Sequence, residues 1–286
     1  MKIIVDGVGG LLGSDVAAVL SKNHEVIAIH GRKQVDLTKF EEVKQLVELV
    51  DPDVFVHIAG MKDVDDSQRD PIGAYAINTL APRNIAVVTG NRNKVMIHIS
   101  SGAVFDGELG RPYTEFDQTN PVNIYGHSKL EAEELVRSYN HQSFIIRVPL
   151  LFGAHGSRLT NPIFRMIRRL EAGERGLQYT TDQLSNPSYT IDIAQAMEVL
   201  LGSEAYGTYN IGNSGEVSRY DYFKHIAQKM GYSGDELEPC LMGVKFAPRE
   251  KSVVLDCRLF EETFHYRMRK WQEAMDDCIR QIKEEL

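Results

Sequence analysis

The sequence predicts a doubly wound, parallel α/β sheet followed by a smaller C-terminal α/β lobe. Three observations predict it. Short β-type runs alternate with helical patterns from residue 2 to residue 148. Two of the runs, Asp53-Val-Phe-Val-His-Ile58 and Lys94-Val-Met-Ile-His-Ile99, are almost continuously apolar, as strands covered on both faces must be. A glycine-spaced turn, Gly7-Val-Gly-Gly10-Leu-Leu-Gly13, separates the first β-type run from the first helical pattern.

Lys2 to Val5 is the first strand, ended by Asp6-Gly7, and a helix follows through Leu20. In this setting Gly7 allows a tight turn, Gly10 lets backbone approach a pyrophosphate at the helix N-terminus, and Gly13 lets helix pack closely on strand. Leu11 and Leu12 share the loop. The second strand, Glu25 to His30, ends in Gly31-Arg32-Lys33. An acid that would bind the ribose of NAD is missing there and two cations stand nearby, so a 2′-phosphate is favoured and NADPH is expected, with NAD as the alternative. Thr38 and Glu41 form a capping-box pattern for a helix from Lys39 to Val50. The third strand, Asp53 to Ile58, runs into Ala59-Gly60, where a strand end can abut a cofactor. A long helical stretch to about Val88 contains Asn78, and Pro71 and Pro82 are expected to break or bend it. Lys94 to Ile99 is a strand ending in Ser100-Ser101-Gly102, and Phe144 to Val148 is another.

Between these two strands lies Asn120-Pro-Val-Asn-Ile-Tyr125-Gly-His-Ser-Lys129. Asn120 reads as the N-cap and Pro121 as the first helical residue. A helix sets Tyr125 and Lys129 on one face, one turn apart. An ammonium beside a phenol favours the phenolate, so Tyr125 is expected to titrate below its ordinary value. A phenol so placed can give a proton to a carbonyl oxygen while hydride reaches the carbon.

The later chain is less regular. Helices are expected over Asn161 to Ala172, Asp192 to Leu201 and Arg219 to Met230, with strands over Gly176 to Tyr179 and Gly207 to Ile211. Trp271, Ala274, Met275, Cys278, Ile279 and Ile282 make an apolar stripe on a last helix, which reads as core. Residues 1–150 are expected to form the dinucleotide-binding (Rossmann) domain, rejoined by parts of 186–215, and 151–286 the substrate-binding lobe.

Composition narrows the partners. The net charge of −8 and the lack of a long basic run argue against nucleic acid. No apolar run reaches the roughly 18 residues a membrane span needs. The three cysteines, Cys240, Cys257 and Cys278, lack paired spacing, so neither a disulfide framework nor a metal site is expected. The first apolar run is too short for a signal peptide. A cytoplasmic protein is expected, and a homo-oligomer is compatible with the sequence.

Together these residues resemble the extended short-chain dehydrogenase/reductases, and most nearly the dTDP-4-dehydrorhamnose reductase family of nucleotide-sugar reductases. The resemblance is carried by the Gly7-x-x-Gly10-x-x-Gly13 loop, by Val56 to Asp65, by Asn120 to Lys129, by Thr181-Asp182-Gln183 through Asn186-Pro187-Ser188, and by Gly207 to Asn213. It implies that Tyr125 is the proton donor, that Lys129 binds the nicotinamide ribose, and that Ser101 hydrogen-bonds the reacting oxygen. It places Asp36 and Leu37 near the adenine, Ala59, Gly60 and Met61 along the cofactor, and Lys62, Val64, Ser101, Gly102 and Arg249 near the substrate. Where the family reads Ser-Thr-Asp-Tyr-Val-Phe, this chain reads Ser100-Ser101-Gly102-Ala103-Val104-Phe105, and a family Trp is Leu150. The implied activity is NADPH-dependent reduction of a 4-keto group on a nucleotide-linked deoxysugar. Two alternatives stay open: an epimerase or dehydratase holding NAD, and a binding subunit resembling the regulatory β subunit of methionine adenosyltransferase.

Overall fold

The computed structural model describes residues 1–285. Six strands form one parallel sheet: β1 (Lys2–Asp6), β2 (Glu25–Ile29), β3 (Val54–His57), β4 (Val95–Ser101), β5 (Ser143–Val148) and β6 (Gly207–Asn210). Their order is β6-β5-β4-β3-β1-β2. The chain leaves β1 for β2 on one side and returns to β3 on the other, so a crevice opens at the carboxyl ends of β1 and β3.

The period of two along each strand sends alternate residues to opposite faces. Ile3, Val5, Val54, Val56, Ile97, Ile99, Phe144 and Ile146 pack on one face with the helices Leu11–Leu20 and Thr190–Leu200. Ile4, Phe55, Met96 and Ile145 pack on the other with the helices Phe40–Val50 and Ala81–Gly90. A separate apolar core in the later chain joins the helices Pro162–Glu171, Arg219–Lys229 and Trp271–Glu285. The apolar stripe on the last helix lies in that core, as its spacing predicts. Two further elements were not evident in the sequence. Leu237–Cys240 pairs in parallel with Leu177–Thr180, and the helix Arg258–Phe264 brings Phe260 into the main core. Among the described residues no helix is long and apolar enough to cross a membrane.

Two local expectations are corrected. The helix holding Tyr125 runs from Ile124 to Tyr139 and its N-cap is Asn123, whose side chain accepts from the Gly126 N–H at 2.8 Å. Asn120 instead donates to Asp106. Thr38 makes no capping box: its hydroxyl donates to Asp36, and Glu42 rather than Glu41 reaches back, accepting the Asp36 N–H at 2.7 Å. The stretch before Gly90 is broken near Pro71 and Pro82, as expected. Pro71 opens a new turn capped by Asp70, and Ala76–Leu80 is a π-helical turn ahead of Pro82.

Candidate active site

The glycine loop is shaped by close backbone approach. Gly7 has φ of +66°, and a Cβ there would lie 2.9 Å from the Ala59 nitrogen. A Cβ at Gly13 would overlap the Gly7 carbonyl oxygen. Gly10 is the N-cap of Leu11–Leu20, has no side chain to cap it, and donates its own N–H to the Gly7 carbonyl at 2.9 Å. The first-turn N–H groups are thus left without a side-chain acceptor, which fits a dinucleotide pyrophosphate. Leu12 is buried beneath the loop, while Leu11 meets the Gly153–Gly156 segment.

A cavity of about 330 Å³ lies at the switch between β1 and β3. Gly7, Arg32, Asp36, Leu37, Ala59 and Gly60 line it. Lys33 and Met61 do not. The Met61 backbone is clamped from both sides by Asn78, whose amide also donates to Ser128 on the Tyr125 helix at 3.0 Å. Asp36 accepts from the hydroxyl and N–H of Thr38, which holds its carboxyl below the usual range.

The second cavity opens at the carboxyl ends of β4 and β5, between the sheet and the later chain. Ser101 and Gly102 line it, together with Leu150, Gln183, Arg219 and Glu250. Tyr125 stands beside this wall. Gly126 makes that possible, because a side chain there would overlap the Ala103 carbonyl oxygen and push the helix away. Ser101 lies near enough to the phenol to act on its pKa. Lys62, Val64 and Arg249 line neither cavity. Arg249 pairs with Asp65 at 3.1 Å and donates to the Ala247 carbonyl, so its guanidinium is turned along the loop. Arg219 lies in the wall instead, with no side-chain hydrogen bond or ion pair among the described residues.

The expected tuning of Tyr125 is reversed. Its pKa is raised, first by burial and further by the negative charge of Glu250, while Ser101 opposes the rise. Lys129 does not offset this, because its ammonium donates to the Ile99 carbonyl at 2.5 Å. Lys129 is only 5% exposed, and burial pushes it down to about 8. Around it runs a buried polar row. Asp6 accepts the N–H groups of Ile58 and Ala59 at 2.6 and 2.7 Å and pairs with His57. His57 stacks on His98, whose ring nitrogens have no partner and whose pKa is held well below the imidazole range by burial and then by Lys129. Glu133 is held ionised by two bonds from Arg147, at 2.9 and 2.7 Å, against the cost of burial. Sequence reasoning missed this row. Asp6 and the two histidines sit at alternate, inward positions of apolar strands, and that periodicity was the available signal.

A parallel sheet with a glycine turn at its switch point and a Tyr–Lys helix beside the next crevice defines an extended short-chain dehydrogenase/reductase. The sequence matches the RmlD substrate binding domain family over residues 1–284, and the chain belongs to that family. It is 30% identical to a dTDP-4-dehydrorhamnose reductase of Mycolicibacterium smegmatis, over 97% of this chain and 85% of the relative. Its fold superposes on a Clostridium acetobutylicum dTDP-4-dehydrorhamnose reductase with a TM-score of 0.92 at 30% identity, covering 99% and 100% of the two chains. A Bacillus anthracis dTDP-4-dehydrorhamnose reductase, solved in complex with NADP, superposes with a TM-score of 0.91 at 27% identity, covering 98% of each chain.

Proposed function

We propose that this protein is an NADPH-dependent reductase of a 4-keto group on a nucleotide-linked deoxysugar, acting in the cytoplasm. The observation that carries the reading is the placement of the Tyr125 phenol next to Ser101 at the wall of the second cavity, with the phenol's pKa raised. A raised pKa keeps the phenol protonated at neutral pH, the state a proton donor in a reduction requires. The names of the relatives, and the NADP complex of one of them, support the same chemistry.

In this reading residues 1–150, with the returning strand β6, hold the dinucleotide, and the rest of the later chain holds the sugar nucleotide. The first-turn N–H groups after Gly10 face the pyrophosphate. Arg32 meets the 2′-phosphate, and Asp36 and Leu37 flank the adenosine. NADPH supplies the hydride when bound. Ser101 donates to the substrate carbonyl oxygen and orients it toward Tyr125. Tyr125 then gives its proton to that oxygen as negative charge develops. Lys129, released from the Ile99 carbonyl, binds ribose hydroxyls and stabilises the phenolate left behind.

Tyr125→Phe tests this. It removes the proton and keeps the ring, so kcat should fall about 10²–10⁴-fold with NADPH affinity nearly unchanged. The measurement is steady-state reduction of dTDP-4-dehydrorhamnose beside fluorescence titration of NADPH. A Phe variant as active as wild type excludes the mechanism. Tight NADPH binding by a wild type that reduces no 4-keto sugar nucleotide would favour a binding subunit instead.

A further inference from the structure

The acid that the family pattern carries after the fourth strand's Ser-Thr is Gly102 here, and a side chain at this position would crowd its neighbours. A Cβ at Gly102 would lie 2.7 Å from Val253 Cγ1. The Ser252–Val253 strand, paired with Leu184–Ser185, takes up that room. Three residues before Val253, the same segment carries Glu250 into the same cavity.

Glu250 is held by a built frame. The Asn123 amide, at the N-cap of the Tyr125 helix, donates to Glu250 Oε1 at 3.0 Å and to the Pro248 carbonyl at 3.0 Å. The Gln183 amide donates to the Glu250 carbonyl at 3.3 Å. Asp65 ties down Ala247 and Arg249. Among the described residues the one side-chain donor to this carboxylate is Asn123, on Oε1, and the residue lines the cavity. The carboxyl is also close enough to Tyr125 for its charge to act on the phenol.

We propose that Glu250 is a substrate-binding, specificity-determining residue whose carboxylate, fixed by Asn123 at Oε1, accepts a hydrogen bond from the sugar hydroxyl next to the carbonyl being reduced. The inference rests on the reductase reading. A carboxylate only accepts, so a sugar presenting a hydroxyl there is bound and one lacking it leaves the acid unpaired. The frame runs through Asn123, so seating the sugar on Glu250 also registers it against the Tyr125 helix. Glu250 is raised above the usual carboxylate range, chiefly by burial, with its own N–H, Asn123 and Arg249 opposing. The groups acting on the Tyr125 phenol are Ser101 from β4 and Glu250.

The test compares Glu250→Gln and Glu250→Asp with wild type. Gln keeps the size and the bond from Asn123 but removes the charge. Asp keeps the charge and withdraws it by one methylene. Calorimetry with dTDP-rhamnose and with dTDP alone separates sugar from nucleotide, and kinetics with dTDP-4-dehydrorhamnose gives the pH profile. Both variants should bind dTDP-rhamnose about 10–100-fold more weakly and show a KM raised to match. Affinity for dTDP and for NADPH should stay within about twofold. The Gln variant should also move the alkaline limb of the rate profile to lower pH, because the charge that raises the Tyr125 pKa is gone. The Asp variant should leave that limb nearly in place. Equal losses for dTDP and dTDP-rhamnose, or no loss for either, would overturn the proposal, as would an unmoved limb in the Gln variant. A wild type that neither binds nor reduces the sugar nucleotide would instead overturn the reductase reading, and this inference with it.

Discussion

Lys129 should make the stability of the cofactor-free protein depend on alkaline pH in a way that one substitution exposes. Its ammonium is buried and its pKa falls from 10.5 to about 8, driven by desolvation and only partly offset by Glu133 and Asp6. Between those values the unfolded chain holds the proton and the folded chain does not, so this group makes stability rise with pH. Each unit of pH in that window is worth about 1.4 kcal/mol. From pH 7.5 to 10 the contribution is therefore about 2–3 kcal/mol. Other groups act oppositely: burial raises the Cys257 thiol and the Tyr125 and Tyr222 phenols, so each loses stability as pH climbs through its unfolded value. Lys129→Met retains all three, and the difference between variant and wild type isolates Lys129. The assay is urea denaturation of both proteins without cofactor at half-unit steps from pH 7 to 10. The gap should move by about 2–3 kcal/mol in favour of wild type as pH rises, whatever its value at neutral pH. A gap that stays constant, or that moves the other way, would show that the folded ammonium is not desolvated as the structure places it.

Three further outcomes follow from the same structure. Asp6→Ala leaves the Ile58 and Ala59 N–H groups and His57 without their acceptor in a site 1% exposed, so urea denaturation should show a loss of about 3–5 kcal/mol, with Asp6→Asn losing less. Arg32→Ala should weaken NADPH about tenfold and leave NADH unchanged by fluorescence titration, whereas Lys33→Ala, outside the cavity wall, should change neither. Gly13→Ala forces a methyl into the Gly7 carbonyl, so NADPH binding should fall at least about tenfold and the melting temperature should drop; unchanged binding would contradict the loop's packing.

The amino-acid sequence by itself determined the sheet, the glycine turn and the Tyr125–Lys129 helix. These are local: they depend on periods of two and 3.6, on glycine at a turn, and on residues four apart sharing a helix face. Even there the cap moved from Asn120 to Asn123, because cap choice depends on which side chain reaches a free N–H and not on composition alone. What only the tertiary structure decided is the electrostatics. Lys129 and Tyr125 were rightly placed on one helix, yet the phenol is raised rather than lowered. The Ile99 carbonyl lies 30 residues from Lys129, and Glu250 lies farther still along the chain from Tyr125. The same holds for Arg249, read as facing substrate and found paired with Asp65, and for Glu250, absent from every local pattern yet carried into the cavity. A pKa is set by burial and by charges within a few ångströms, and packing brings such charges together from distant parts of the chain. Periodicity therefore reveals which residues share an element, and only the packed fold reveals which charges share a site.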